Sequence, residues 1–312
     1  MTPLDTAVEQ GDEAGARRPR SRWLALAEAM RPHQWLKNLL VFVPALTGVR
    51  HFADATPWPA AIGAFVAFSA VASSVYLLND IFDRRVDRAH PRKRLRPFAS
   101  GELAIPFGLA ASAVLMAGGA ILAAAEGILA ILALYAAISV VYSARLKTYP
   151  LTDVFVLAVL YMMRLFAGGI ATGYQVSLWL LGFSAFLFFG LATMKRVEEL
   201  RGLELRGERT APGRGYTTDD RPILEIFGCC ASFVSALMLA LFVQSEASSA
   251  LYRTLPLLWG AVPLILLWQC RLWLATANGR MHDDPILFTL RDPGSWIIVA
   301  AVGALFLAAR WF

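Results

Sequence analysis

The chain has 312 residues, of which 57% are hydrophobic and only 17% charged, and its mean hydropathy is +0.55. Soluble domains run about 45–50% apolar and about 25% charged, so an ordinary soluble fold is excluded. A net charge of +6 would point to nucleic acid in a soluble protein. In a membrane chain, basic residues retained on one side explain it, and no nucleic-acid partner is expected. The three cysteines, Cys229, Cys230 and Cys270, show neither metal-ligand spacing nor a disulfide framework, and read as packing residues.

Residues 1–22 are polar, with the basic run Arg17-Arg18-Pro19-Arg20 and no apolar core of a signal peptide. They read as a disordered cytoplasmic tail resting on anionic lipid. An amphipathic segment from Trp23 to Met30 then leads into a single membrane domain, 23–312. Spanning helices are predicted at about 36–52, 60–83, 104–123, 127–144, 151–171, 178–196, 225–244, 254–275 and 294–311. With the N-terminus in the cytoplasm, 25 of the 29 Lys and Arg residues fall on the inner side, Arg50, Arg253 and Arg310 fall outside, and Arg164 lies within a span. The expected fold is therefore an all-α integral membrane protein of nine transmembrane helices, multi-pass in the plasma membrane, with its C-terminus outside. A homo-oligomer is compatible with this pattern. The two largest inner loops, 84–103 and 197–224, are basic and rich in Pro and Gly, so the active face is expected there, as a cap facing the cytoplasm.

The second span ends Asn79-Asp80-Ile81-Phe82-Asp83-Arg84-Arg85-Val86-Asp87. Asn79, Asp83 and Asp87 are spaced i, i+4, i+8 and stack on one helical face, with Asp80 beside them. Like charges so placed repel unless a cation sits among them. Hard oxygens on a partly wet face suit Mg²⁺, which shares its shell with substrate phosphates. The competing reading is a solvated helix end paired with Arg84, Arg85 and Arg88. The loop that follows carries Lys93 and Arg96, donors suited to phosphate, and Pro91, Pro97 and Gly101, which order its backbone.

The pattern Asn-Asp-x-x-Asp-x-x-x-Asp at 79–87, then His-Pro-x-Lys-x-x-Arg-Pro-x-Ala-x-Gly at 90–101, resembles the first motif of the UbiA-type intramembrane prenyltransferases. That resemblance implies a nine-helix bundle holding a prenyl diphosphate through Mg²⁺ at its cytoplasmic mouth. Within the superfamily, the chain looks most like the decaprenyl-phosphate phosphoribosyltransferases of actinobacterial cell-wall synthesis. The shared features are Arg31-Pro32-x-Gln34-Trp35-x-Lys37-Asn38, Tyr142-Ser143-x-x-Leu146-Lys147, Asp153, Arg164 ahead of Gly168-Gly169, Lys195-Arg196-x-x-Glu199, and the tail Asp284-Pro285-Ile286 to Arg291-Asp292. Where aromatic-acceptor members typically carry a second Asp motif, this chain has Lys195, Arg196, Glu198 and Glu199. The resemblance thus implies phosphoribosyl pyrophosphate as the Mg²⁺-bound donor and a polyprenyl phosphate as the acceptor.

On that reading Asn79, Asp80, Asp83 and Asp87 hold the metal. Asp83, Asp87, Lys37 and Arg164 act on the reacting groups. Asn38, Lys93, Arg96, Tyr142, Arg145, Lys147, Asp153, Lys195, Arg196 and Glu199 bind substrate. Interfacial anchoring is the alternative for Lys37, Asn38, Arg145 and Lys147. Asp153, Leu157, Tyr161, Arg164 and Gly168 share one face of the fifth span. Arg164 lies roughly 20 Å into it and must face the bundle interior, as a buried pair or as a cavity residue. Gly168, Gly169 and Gly182 read as close helix contacts. Phe183, Phe186, Phe188 and Phe189 read as packing or lipid-facing residues before a prenyl tunnel. His282-Asp283-Asp284-Pro285 reads as a cap on the last inner loop, and Pro212-Gly213-Arg214-Gly215-Tyr216 as an ordered turn of unassigned role. A prenyl transferase or cyclase using a prenyl diphosphate is the enzymatic rival. A transporter is disfavoured because the polar residues gather at one face and not at a midplane site.

Overall fold

A computed structural model of the chain describes residues 21–48, 56–89, 93–211, 213–281 and 284–311. Of the tail expected at 1–22, residues 1–20 lie outside these residues, whereas Ser21 and Arg22 cap and begin a helix. The described chain is helical, apart from one isolated bridge between Thr210 and Thr217. Helix α1 (Arg22–Met30) leads to a 3-10 segment (Pro32–Phe42) and α2 (Val43–Gly48). Then come α3 (Pro57–Phe82), α4 (Arg84–Ala89), α5 (Pro97–Ser100), α6 (Ile105–Ala125), α7 (Leu129–Ala144), α8 (Thr152–Thr172) and α9 (Leu178–Glu204). The remainder is α10 (Arg221–Val243), α11 (Glu246–Leu251), α12 (Leu255–Leu258), α13 (Ala261–Ala277), α14 (Pro285–Arg291) and α15 (Pro293–Trp311).

Seven of the described helices are long and apolar enough to cross a membrane, so the chain is a multi-pass membrane protein. Two of the nine expected spans differ. Helix α7 has only 16 residues. The stretch expected as the first span is a 3-10 segment and a six-residue helix, and 49–55 lie outside the described residues. The irregular backbone there lies against protein. A Cβ added at Gly168 of α8 would collide with the Val41 carbonyl, so the glycine lets this segment dock directly on α8.

Helix α3 is the central element. Ala64, Ala67, Phe68, Val71 and Ala72 pack with Val41, Leu132, Tyr135, Leu160, Met163 and Ala167 in one core. Its small residues let neighbours approach closely, and its buried hydroxyls find partners across helices. Ser74 Oγ donates to the Ser112 carbonyl (2.9 Å), and the Trp35 indole donates to Ser73 Oγ (2.9 Å). Such partners are required where no water is present. Helices α6, α13 and α15 are the least covered and present Val114, Ile121, Leu274 and Ile297 outward. Cys230 and Cys270 are exposed on this exterior and do not pack as expected. Of the phenylalanine run, Phe188 is core and stacks on Tyr161, whereas Phe186 is exposed.

Helix α9 runs eight residues beyond its predicted end, to Glu204. Its apolar stripe does not stop at residue 196: Val197, Leu200 and Leu203 enter a second core with Val154, Tyr216 and Leu224. That core lies under the described residues of the 197–224 segment. Thr217 and Asp220 form a capping box ahead of α10. Of the 84–103 segment, 90–92 lie outside the described residues; across the rest, Arg84 Nε donates to the Phe98 carbonyl and Arg88 Nε to the Ala99 carbonyl.

Candidate active site

Helical hydrogen bonding continues through the end of α3: Asp83 N donates to the Asn79 carbonyl and Asp87 N to the Asp83 carbonyl, both at 2.8 Å. The acidic residues therefore follow one another up the helix as their spacing predicts. They are in unequal states. Asp80 and Asp87 are buried. Asp80 takes Arg31 at 2.6 Å and Arg96 at 3.2 Å, and the same Arg96 Nη1 lies 2.7 Å from Asp87. Asp83 is half-buried and enters no ion pair among the described residues. Asn79 turns away, its amide donating to Ser143 Oγ at 2.9 Å.

Two carboxylates thus converge on one cationic nitrogen, with a third beside them: an oxygen-rich site that already holds positive charge. Its donor chemistry fits a hard cation such as Mg²⁺. Among the described residues no three His, Cys, Asp or Glu side chains gather closely enough to hold a metal, and Asn79 meets Ser143 through its amide nitrogen, a bond that does not use the Oδ1 that would ligate.

A second cluster is cationic. Lys37 Nζ and Lys195 Nζ both bind Asp284 Oδ2, at 2.7 and 3.2 Å. Asp284 also accepts from Ile286 N at the start of α14, the capping role expected of it. Burial alone would raise the Asp284 carboxyl, but Lys195 and Lys37, with the Lys37 and Ile286 hydrogen bonds, hold it well below the usual carboxylate range. Deeper in the bundle, Arg164 is buried and has no carboxylate partner among the described residues. It donates to Asn38 Oδ1 (2.7 Å), Tyr135 Oη (3.0 Å) and the Leu160 carbonyl. Its guanidinium and the Lys37 ammonium each lie 5.7 Å from the Tyr161 ring centroid. Arg164 is therefore a bundle-interior residue with neutral partners, a cation whose charge the described residues leave uncompensated.

The third cluster is densely paired, with only the buried Arg196 Nε lacking a hydrogen-bond partner among the described residues. Asp153 is fully buried and takes Arg196 at 2.6 Å, Tyr216 Oη at 2.6 Å and Arg214 at 3.6 Å. Arg196 also pairs with Glu199, which Arg214 Nε reaches at 3.2 Å, and Arg214 donates to Tyr142 Oη at 3.3 Å. Burial and the hydrogen bond to Asp153 raise the Tyr216 phenol, so it stays a donor. Within the unassigned 212–216 turn, of which 212 lies outside the described residues, Arg214 and Tyr216 close over the ends of α7, α8 and α9. Arg145 and Lys147 lie just after α7, Arg145 exposed and Lys147 half-buried, and Lys93 is exposed in its 3-10 turn.

The segment at 31–38 joins these parts: Arg31 reaches Asp80, Lys37 reaches Asp284, and Asn38 reaches Arg164. Sequence reasoning did not place Arg31, Asp284, Arg214 or Tyr216 in the site. Arg31 and Asp284 were nonetheless visible, as the first residue of one shared motif and of another. Arg214 and Tyr216 had no signal beyond an unusual Gly-rich turn.

A multi-span helical bundle that keeps carboxylates and cations at one end is the framework of an intramembrane enzyme. The profile of the UbiA prenyltransferase family matches residues 41–280. The chain belongs to this family and is a transferase. A UbiA homolog from Archaeoglobus fulgidus, solved bound to DMAPP and Mg²⁺, superposes with a TM-score of 0.66 at 20% identity, over 93% of this chain and 99% of that one. The nodulation protein NoeC of Azorhizobium caulinodans is 36% identical over 91% of this chain and 94% of its own length. The decaprenyl-phosphate phosphoribosyltransferase of Corynebacterium glutamicum is 34% identical over 64% of this chain and 60% of its own length. The protein y4nM of Sinorhizobium fredii is 35% identical over 93% of this chain, which spans 56% of that longer relative.

Proposed function

We propose that the chain transfers 5-phosphoribose from phosphoribosyl pyrophosphate to a polyprenyl phosphate at the cytoplasmic face of the plasma membrane. The observation that carries this reading is the inner end of α9. Where a second pair of metal-binding carboxylates would serve a prenyl diphosphate, it presents the half-exposed Lys195 and the buried Arg196. The acids facing it are already held, Asp284 by Lys37 and Lys195 and Asp153 by Arg196. Two lysines gathered at one carboxylate suit a phosphorylated second substrate. The similarity to a decaprenyl-phosphate phosphoribosyltransferase supports the same choice.

In this mechanism the bond from the ribose anomeric carbon to pyrophosphate breaks as an acceptor phosphate oxygen bonds to that carbon. The acceptor is already ionised at pH 7, with a second pKa near ~6, so no strong general base is needed. Asp80, Asp83 and Asp87 would hold Mg²⁺, which supplies charge neutralisation for the leaving pyrophosphate. Arg96, displaced from Asp80 and Asp87, would donate to the diphosphate together with Lys93, Arg145 and Lys147. Lys37, Lys195 and Arg164 would orient the acceptor phosphate, with Asn38 fixing Arg164. Asp153, Arg196, Glu199 and Tyr142 hold the surrounding loops in place.

Labelled phosphoribosyl pyrophosphate, Mg²⁺ and a polyprenyl phosphate given to the purified chain should yield a lipid-linked phosphoribose. The second reading, transfer from a prenyl diphosphate to a small acceptor, is favoured by the likeness to a homolog solved with DMAPP. Turnover of a prenyl diphosphate without any phosphoribosyl product would select it.

A further inference from the structure

A cavity of about 290 Å³ lies outside the site, between the ends of α13 and α14 and the start of α15. Arg271, Asn278 and Arg280 supply its donors, and Leu274 and Phe288 are part of its apolar wall. It sits at the same end of the bundle as the active site, because Arg201 of α9 donates to the Thr276 carbonyl at the end of α13.

The usual structural work of an arginine here is already done by other groups. The last carbonyls of α13 are taken up by the backbone N–H groups of Asn278, Gly279 and Arg280 and by Arg201. Asp292 is committed to Ser295 N (2.7 Å), Ser295 Oγ (2.8 Å) and Arg271 Nη2 (3.2 Å). Arg271 engages it through Nη2 alone, and Arg280 enters no ion pair among the described residues. The cavity therefore keeps unspent cationic donors beside an apolar wall.

Its surroundings are those of a lipid-facing flank. Leu274 is 63% exposed and Ile297 70% exposed on the adjoining helices. Trp296, exposed at the start of α15, donates its indole N–H to the Leu290 carbonyl. An exposed tryptophan at a helix end marks the headgroup level of a bilayer. Basic pockets between membrane helices at that level accept lipid phosphates.

We propose that this cavity binds the phosphate of an anionic membrane phospholipid, with an acyl chain lying along Leu274 and Phe288. Phe288 belongs to α14, whose N-cap is Asp284, so the bound lipid braces from behind the helix that holds Lys37 and Lys195. Lipid binding at this cavity is independent of which diphosphate the active site uses.

The test is the thermal midpoint of the full chain in neutral detergent, with phosphatidylglycerol, phosphatidylcholine or inorganic phosphate added, and bound lipid counted by native mass spectrometry. Phosphatidylglycerol should raise the wild-type midpoint by about 2–4 °C and remain bound, while the other two should do neither. Arg280→Gln should keep the lipid-free midpoint and lose the shift, and Arg280→Lys should keep part of it. A full shift in Arg280→Gln, an equal shift with phosphatidylcholine, an equal shift with phosphate alone, or no shift in the wild type would each overturn the proposal.

Discussion

The end of α3 and the C-terminal part of α9 are both crowded with charge, yet they treat it differently. At α9, Asp153, Arg196, Glu199, Arg214 and Tyr216 pair with one another, and of the Arg196 nitrogens only Nε lacks a partner among the described residues. At α3, one arginine nitrogen is shared between Asp80 and Asp87, and Asp83 is left without an ion pair among the described residues. A densely paired buried network costs much to break and gives a ligand little to hold. A sparsely paired one tolerates substitution and offers its groups to a ligand. On the function proposed above, the first would serve chiefly as scaffold and the second as the binding site, and variants at each should separate stability from activity.

The largest effect is expected in the scaffold. Asp153→Ala leaves the Arg196 guanidinium, 1% exposed, with Glu199 alone and should cost about 3–5 kcal/mol in chemical unfolding. A loss under about 1 kcal/mol would mean that the α9 network is not the scaffold. Asp83→Asn should do the reverse: turnover falls about 10²-fold or more while stability stays within about 0.5 kcal/mol. Equal activity in the variant would remove Asp83 from the binding site. Gly168→Ala, which pushes a methyl into the Val41 carbonyl, should cost about 1–3 kcal/mol by overpacking the bundle next to Arg164.

The smallest effect concerns pH. The folded-state pKa of Asp284 lies below its unfolded value, so its stabilisation is complete above the unfolded pKa, about 3.9. It is lost as pH falls through the folded value. The stability difference between wild type and Asp284→Asn should be flat from about pH 8 to about 5 and shrink only below about 4. A difference that fades near neutrality would show that Lys37 and Lys195 do not hold the carboxylate.

The sequence made the bundle legible because membrane spans carry a length and a charge rule that survive without neighbours. It placed Asp80, Asp83 and Asp87 together because helical spacing is local. It did not show the partner of the Asn79 amide nitrogen, Ser143, a residue 64 positions away that no local pattern reveals. It ended α9 at 196 because hydropathy falls there, although the apolar stripe through Val197, Leu200 and Leu203 continues. The first segment read as a regular span, since hydropathy cannot see a backbone docked on Gly168. Arg214 and Tyr216 were invisible as partners of Asp153 because their contact is made by a loop folding back over some 60 residues, 63 in the case of Tyr216.

The most direct measurement offers the purified chain phosphoribosyl pyrophosphate and a prenyl diphosphate in competition, with Mg²⁺, a polyprenyl phosphate and an aromatic acceptor all present. A lipid-linked phosphoribose that disappears in Asp83→Asn is the predicted result. A prenylated acceptor with no phosphoribosyl lipid at any polyprenyl length would contradict it.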